Sequence, residues 1–495
     1  MRKYIFSLLV TAGILATQAA DITVTPGNIQ DALGSIGAGA TTLSLKGAVN
    51  AADLYYIADN MSDLKSLDLS GASIEAYSGF KIKYHSEYSA NTIPAGAFAG
   101  SQLTSVVLPS TPGLTIDEMA FMDTNLTSIT LPSNVVKVGE SAFSSCKSLK
   151  SVTIASAPDF GPRVFAGCTS LENVVLGTTT SISNGMFKGD ISLTEITGTE
   201  NVTAIGANAF QGCNTLYQFE FGNGLTTIGA HAFENTALTE VILDQATKLG
   251  SIGAYAFAKC QKLTTAILPT PTSEMGTGTF MDCSALTEVL LPKSMVVIPD
   301  LMLKGAKKLN KTDLIHDGVT TVGRYALKDN SATNAILLPN SIAYLKDGAM
   351  EGMTSLNEIN ATELDSVPSL GLDVWEGVDK SKVLLYVIDN QYESFKSSDQ
   401  WQDFTIMATN TVAPLPVTDS KSNVKARFEG DNLVVRSSVQ NIDMLRLFDA
   451  RGVLLDSRTP NSTEAVMNTG GTSSRLFIVE VTLADSTVAT IKLMK

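Results

Sequence analysis

Charge, histidine, cysteine and tryptophan are all scarce in this chain. Of its 495 residues only 17% are charged, and it holds three His, five Cys and two Trp. His85, His231 and His316 are far apart, and none has a metal-ligand spacing or a neighbouring Ser or Cys nucleophile. The cysteines never form the close pairs that a zinc site needs. There is no G-x-S-x-G, no H-E-x-x-H and no phosphate-binding glycine loop. No catalytic residue, metal or cofactor is therefore expected, and the chain reads as a non-enzyme. Basic residues are also few: 35 Lys and Arg against 49 Asp and Glu give a net charge of −14. That excludes the broad basic face of a nucleic-acid or anionic-membrane binder. No apolar run reaches the roughly 20 residues of a membrane span.

What is present begins with an export pattern. Arg2 and Lys3 precede a short apolar run, Tyr4 to Ala16, and Thr17-Gln18-Ala19 suits a cleavage site before Ala20. Residues 1–19 are thus expected to be a signal peptide, and the protein to be exported to the cell surface or beyond, with the periplasm as the alternative. Residues 20–92 are expected to form an N-terminal cap with an irregular first repeat. Within them Leu64-Lys65-Ser66-Leu67-Asp68-Leu69 alternates like a strand, Asp53 to Asn60 could be a short helix, and 78–91 read as a surface loop.

The dominant feature is self-similarity. Ile205-Gly206-Ala207-Asn208-Ala209-Phe210-Gln211-Gly212-Cys213 returns as Ile252-Gly253-Ala254-Tyr255-Ala256-Phe257-Ala258-Lys259-Cys260. The Phe position recurs every 22 to 24 residues through Phe98, Phe121, Phe143, Phe165, Phe187, Phe210, Phe233, Phe257, Phe280, Leu303, Leu327 and Met350. After most of these comes L-x-x-V/I-x-L, often ending in Pro, as in Leu126-Thr127-Ser128-Ile129-Thr130-Leu131-Pro132. This is a leucine-rich-repeat strand whose first, fourth and sixth positions face inward while the third and fifth face out. One unit cannot bury its Phe and Leu alone, so the units must stack. Truncating Phe210 to Ala would cost about 3–5 kcal/mol. Gly206, Gly229 and Gly253 recur where each unit is expected to turn.

The fold class expected is an α/β repeat solenoid of leucine-rich repeats, with a curved parallel sheet and short strands joined by irregular or short helical returns. It spans residues 93–410, with a C-terminal cap from ~375, and a small all-β sandwich domain follows. The linker is 411–423, and 424–495 carry short alternating runs spaced by turn signals.

The A-F-x-x-C/T-x-x-L-x-x-V-x-L-P unit resembles the BspA-like leucine-rich-repeat surface proteins of gut and oral anaerobic bacteria. Leu385-Tyr386-Val387, Tyr392, Phe395, Trp401, Phe404 and Ile406 look like that family's closing unit. The resemblance implies extracellular, adhesin-like binding without shared enzymatic activity. Leu447-Phe448-Asp449-Ala450-Arg451-Gly452-Val453 and the basic terminal strand are similar to a type IX secretion sorting domain. That family's Gly-x-Tyr is replaced here by Ser474-Arg475-Leu476-Phe477, and a plain β-sandwich spacer is the alternative.

Two sets of residues are candidates for a site. On the outward sheet positions Ile242, Ile267 and Leu290, beside Glu240 and Glu288, would form an apolar stripe rimmed by acids. All five cysteines share one repeat position. They either fill a buried column or, as Cys146 with Cys168 and Cys260 with Cys283, form disulfides between neighbouring units. Asp365-Ser366-Val367 and Asp485-Ser486-Thr487 look like a short O-glycosylation sequence. The function expected is non-catalytic recognition of a protein, from the host matrix or the bacterial envelope, or of a glycan. The alternative is a structural or assembly component of the envelope. Sequence leaves the oligomeric state open.

Overall fold

The computed structural model describes residues 19–34, 39–270, 272, 274–409, 424–429, 431–438, 440–449, 454–469, 476–484 and 488–494. The apolar N-terminal segment through residue 18, the linker 411–423 and Asp485-Ser486-Thr487 lie outside these residues. No described helix is long and apolar enough to cross a membrane. The chain divides into two compact units, residues 1–284 and 285–495.

The first unit is a parallel β-solenoid. It opens with the strands Ala19–Val24, Thr42–Val49 and Ser66–Ile74, paired in parallel, and Ser66–Ile74 then pairs with Ser105–Val107. The helix Ala51–Asn60 begins two residues before the expected start. Asn50 caps it, and the carboxylate of Asp53, fully buried, accepts the N–H groups of Gly27, Ile29 and Asn50. One buried side chain thus satisfies both a capping box and an upstream turn. Residues 77–88 are not a loop. They form an antiparallel hairpin, Tyr77–Ile82 with His85–Tyr88, whose register shifts between Ser78 and Ile82 and which is tied by the buried Tyr88 donating its hydroxyl to the Ile82 carbonyl at 2.5 Å.

Most later coils contribute two short strands, although residues 217–221, a strand position by the repeat pattern, form none. One row includes Ser128–Leu131, Ser151–Ile154, Asn173–Val175 and Glu195–Thr197, in parallel register. A second row includes Ser181–Ile182, Ala204–Ile205, Thr227–Ile228, Ser251–Ile252 and Glu274–Met275. Between the rows lies the Phe position. From Phe98 to Phe280 the rings stack with centroids 5.1–5.7 Å apart and planes within 15°. The backbone sets this spacing: the N–H of Phe210, for example, donates to Ala232 of the next coil at 2.7 Å. The residues two before and two after each Phe have positive φ, as in Asn208 at 59° and Gly212 at 82°. Gly, Asn, Asp and Ser are frequent there because they tolerate that conformation.

The glycines four before the Phe have a different reason from the one expected. Gly206, Gly229 and Gly253 do not have positive φ. A Cβ on Gly229 would stand 2.4 Å from the Ala207 nitrogen, and one on Gly253 2.3 Å from the Ala230 nitrogen. Close approach of the neighbouring coil selects glycine at this position, not a turn.

The second unit holds parallel strands in two rows. Val297–Ile298, Thr321–Val322, Tyr344–Leu345 and Ser369–Leu370 form one, and Ala335–Leu337, Glu358–Asn360, Leu384–Ile388 and Thr405–Thr409 the other. Trp375 takes the rung after Met350, whose N–H donates to Val374 at 3.1 Å. Trp375, Phe395, Trp401 and Phe404 are buried and packed edge to face, closing the last layers. Among the described residues the α-helices lie in the two caps; between them the returns are turns, with one 3-10 helical turn at Thr199–Asn201. Residues from Val424 onward form a small all-β domain. A three-stranded and a four-stranded antiparallel sheet enclose Leu433, Val435, Leu445, Leu447, Phe477 and Val479.

The position three after each Phe is a buried column in which each thiol bonds the Phe carbonyl of the preceding coil. Cys168 donates to Phe143 at 3.2 Å and Cys213 to Phe187 at 3.0 Å. Asp190 stands between them, fully buried, with Oδ1 accepting the Cys168 N–H at 2.8 Å and Oδ2 without a partner among the described residues. A carboxylate cannot donate to the Phe165 carbonyl as its neighbours' thiols do, but a carboxylic acid can. Burial pushes the Asp190 carboxyl well up, so it keeps its proton. A folded-state pKa above the unfolded one favours folding below the unfolded value, near 4, and that benefit is lost as pH rises toward the folded pKa. Asp190→Asn should therefore gain stability over the native protein as pH rises from 4 to 8. Paired urea unfolding curves check this; an offset that does not change with pH would contradict it.

Candidate functional site

The outward face of the strand rows is built by alternation. In Ser128–Leu131 the residues Ile129 and Leu131 are buried while Ser128 and Thr130 are exposed. In the first unit the third positions run in register through Ser128, Ser151, Asn173 and Glu195. Thr130, Thr153, Val175 and Thr197 run beside them. Threonines at the second position tie coils together: Thr127 Oγ1 donates to Thr104 and Thr264 Oγ1 to Thr239, each through the backbone carbonyl.

Three of the five candidate residues lie together in the first unit. Glu240 pairs with Thr265 and Ile242 with Ile267 on the parallel strands Glu240–Ile242 and Thr265–Ile267. Glu240 is exposed, Ile242 is 37% exposed and Ile267 is half-buried. Glu288 and Leu290 belong to the strand Glu288–Leu290 of the second unit, where Leu290 is 49% exposed and Glu288 is exposed. An exposed β-branched or Leu side chain between acids desolvates readily against a partner, and its acids can steer a basic one.

The second strand row carries a shallow groove of about 580 Å³ floored by Gly206, Gly229, Gly253 and Gly276. Thr227, Ser251, Asn184 and Glu274 line it. With one carboxylate and no second acid–base group among its lining residues, it offers no hydrolytic constellation. No group of three or more His, Cys, Asp and Glu among the described residues could hold a metal ion.

The histidines are placed in unrelated settings. His231 lies on the Tyr255 ring, 5.1 Å between centroids, and its Nδ1 meets Glu234 at 2.8 Å. Glu234 also receives Lys259 Nζ at 2.8 Å and Gln211 Nε2 at 2.7 Å, which closes the network. His85 packs edge-on against Tyr88, and His316 Nδ1 meets the Asp317 carbonyl. Asp365 is locked by a mutual pair of hydrogen bonds with Asn340, which leaves Ser366 exposed in its turn.

Sequence reading missed Glu358. It sits half-buried on the outward face of Glu358–Asn360, and Oε1 has no partner among the described residues. Burial pushes its carboxyl up to about 7. Only the third-position register would have pointed to it, and that register does not reveal burial.

All five cysteines are free and buried in this structure. Cys146 Sγ donates to Phe121 at 3.1 Å, Cys260 to Phe233 at 3.2 Å and Cys283 to Phe257 at 3.1 Å. Burial pushes the Cys168, Cys213 and Cys283 thiols up, so they stay protonated and able to donate. Alkylation of the natively purified, denatured protein should add five labels by intact mass. Loss of two or four labels would instead mean cross-links at Cys146–Cys168 or Cys260–Cys283.

Comparison with known proteins places this architecture. The family described as "BspA type Leucine rich repeat region (6 copies)" matches residues 91–217, 180–310 and 250–380. No curated protein matches the chain. Among solved structures, a leucine-rich repeat protein from Bacteroides ovatus is 20% identical, with 73% of this chain and 83% of that one covered and a TM-score of 0.48. A leucine-rich cell surface protein from Faecalibacterium prausnitzii is 23% identical over 50% of this chain and 82% of its own, with a TM-score of 0.32. A leucine-rich repeat protein from Eubacterium ventriosum is 14% identical over 69% and 84%, with a TM-score of 0.36. The family match runs through 91–380, more than half of the sequence, and coincides with the stacked coils. The chain belongs to the BspA-type leucine-rich-repeat family.

Proposed function

We propose that this protein is a non-catalytic recognition protein, exported by its N-terminal segment to the cell surface, where it binds a protein or glycan through the outward sheet face. The observation that carries this reading is Ile242, 37% exposed beside Ile267 and Glu240 on strands whose backbone is fixed by coil-to-coil pairing. A preorganised face of this kind loses little entropy on binding. Membership of a leucine-rich-repeat family, a class of domains that generally bind proteins, supports it. Glu288 and Leu290 extend the same chemistry in the second unit. Host matrix proteins, envelope proteins and glycans are the partner classes this face serves. No acid–base pair lines the groove of the second strand row, so hydrolysis finds no support there.

The C-terminal domain supports a second reading. It has a core of its own, which suits a module that is recognised or docked separately. As a type IX sorting domain it would be removed on the way to the surface; as a docking module it would be retained and the array would act as an envelope spacer. Ser366, exposed in its turn, would be the O-glycosylated residue of Asp365-Ser366-Val367.

Protease treatment of intact cells, followed by mass spectrometry of released peptides and mature termini, separates these readings. Release of repeat peptides from intact cells, with a mature start at Ala20 and no residues after ~424, is the expected result. Repeats that stay protected until the outer membrane is opened, with Lys495 retained, would favour the envelope-assembly reading.

A further inference from the structure

At the last parallel strands of the second unit the outward rows change character. Ala335, Glu358, Leu384 and Thr405 pair in register along one row, and Leu337, Asn360, Tyr386 and Met407 along the other. Ile336, Ile359 and Leu385, between the rows, point into the core. Leu384 and Met407 are exposed, and Leu337 and Tyr386 are half-buried. Glu358 is the one charged side chain in these two rows. Its Oε1 is buried without a partner among the described residues, and so is Oδ1 of Asn334, whose backbone carbonyl accepts the Glu358 N–H at 3.3 Å.

The cations nearby are engaged elsewhere. Lys311, on the coil beside Ala335, pairs with Asp313 at 3.5 Å. Lys380 pairs with Asp403 at 2.9 Å and Lys382 with Asp379 at 2.8 Å. On the adjoining strand the titratable group is Tyr386, whose phenol is pushed up by burial and then by Glu358 itself. Asn360 Oδ1 accepts the Thr362 N–H and hydroxyl. A carboxyl held against apolar neighbours without a donor is costly, and it is relieved by any ligand that brings a cation.

We propose that this end of the sheet recognises a basic, aliphatic protein segment: Glu358 receives the ammonium or guanidinium of a Lys or Arg, and Leu384 and Met407 receive flanking aliphatic side chains. Charge complementarity selects this occupant, since an uncharged sugar could donate hydroxyls to Glu358 but would leave its charge uncompensated. The proposal rests on the reading that the outward sheet face binds partners, and it names the chemistry of one part of that face. The carboxyl near pH 7 then acts as a gate. Ionised Glu358 attracts the segment, and its protonated form does not.

The test uses the full chain and two capped peptides, acetyl-Leu-Lys-Leu-amide and its isostere acetyl-Leu-Gln-Leu-amide, titrated calorimetrically at pH 6 and pH 8. A site open only to the ionised form should gain about tenfold in affinity for the Lys peptide over that range. The Gln peptide should show no gain. Glu358→Gln should abolish the gain while leaving the thermal unfolding transition in place. An absent gain, a gain retained in Glu358→Gln, or no binding of the Lys peptide overturns the proposal. Failure here alongside partner contact at Ile242 would remove this site alone and leave the wider reading of the sheet standing.

Discussion

Coil-to-coil registry is the constraint on which the rest depends. A Phe side chain in one coil has no core of its own. It is buried because the next coil presents another Phe at the distance its backbone hydrogen bonds impose, and the rings then stack at 5.1–5.7 Å. The same registry lines up the outward positions into rows, so the outward face is a by-product of core packing. It also forces glycine where coils approach most closely, as at Gly229 and Gly253. A stack of this kind gains stability from nearest-neighbour interfaces, which makes each buried column sensitive to the chemistry at every level.

Columns also show where such a fold tolerates exceptions. The one that holds the cysteines is apolar in volume but polar in duty, since each thiol donates a hydrogen bond to the Phe carbonyl of the preceding coil. Thr124 Oγ1 bonds Phe121 in the same column, and Asp190 can join it only as an acid. On the outward face the comparable exception is Glu358. In both places a polar group sits where stacking would favour an apolar one. Burial favours the protonated form of the first; the second is a half-buried carboxyl whose Oε1 has no partner among the described residues.

Much of this fold was legible in the sequence because a repeat states its own register. The Phe rungs and the L-x-x-V-x-L strands follow from spacing and hydrophobic pattern, and the closing aromatics Phe395, Trp401 and Phe404 from the family resemblance. Trp375 was hidden because its unit lacks the A-F-x-x signature, although it fills the same rung. The hairpin of Tyr77–Ile82 and His85–Tyr88 was hidden because a Ser- and Tyr-rich stretch looks like a loop until one buried tyrosine hydroxyl pins it. The turn account of the glycines failed because a missing Cβ can serve backbone clearance as well as positive φ, and spacing alone does not separate the two. The exposure of Ile242 could be anticipated from alternation. The isolation of Glu358 could not, because it depends on which lysines are already paired.

The central claim is that recognition occurs on the outward face of the sheet. The most direct measurement places a photoreactive benzophenone amino acid at position 242 in one protein and at position 227, on the second strand row, in another. Both are irradiated on intact cells with host matrix present, and the adducts are compared. The account predicts a discrete adduct from position 242 and none from position 227. Adducts from position 227 with none from position 242 would contradict it.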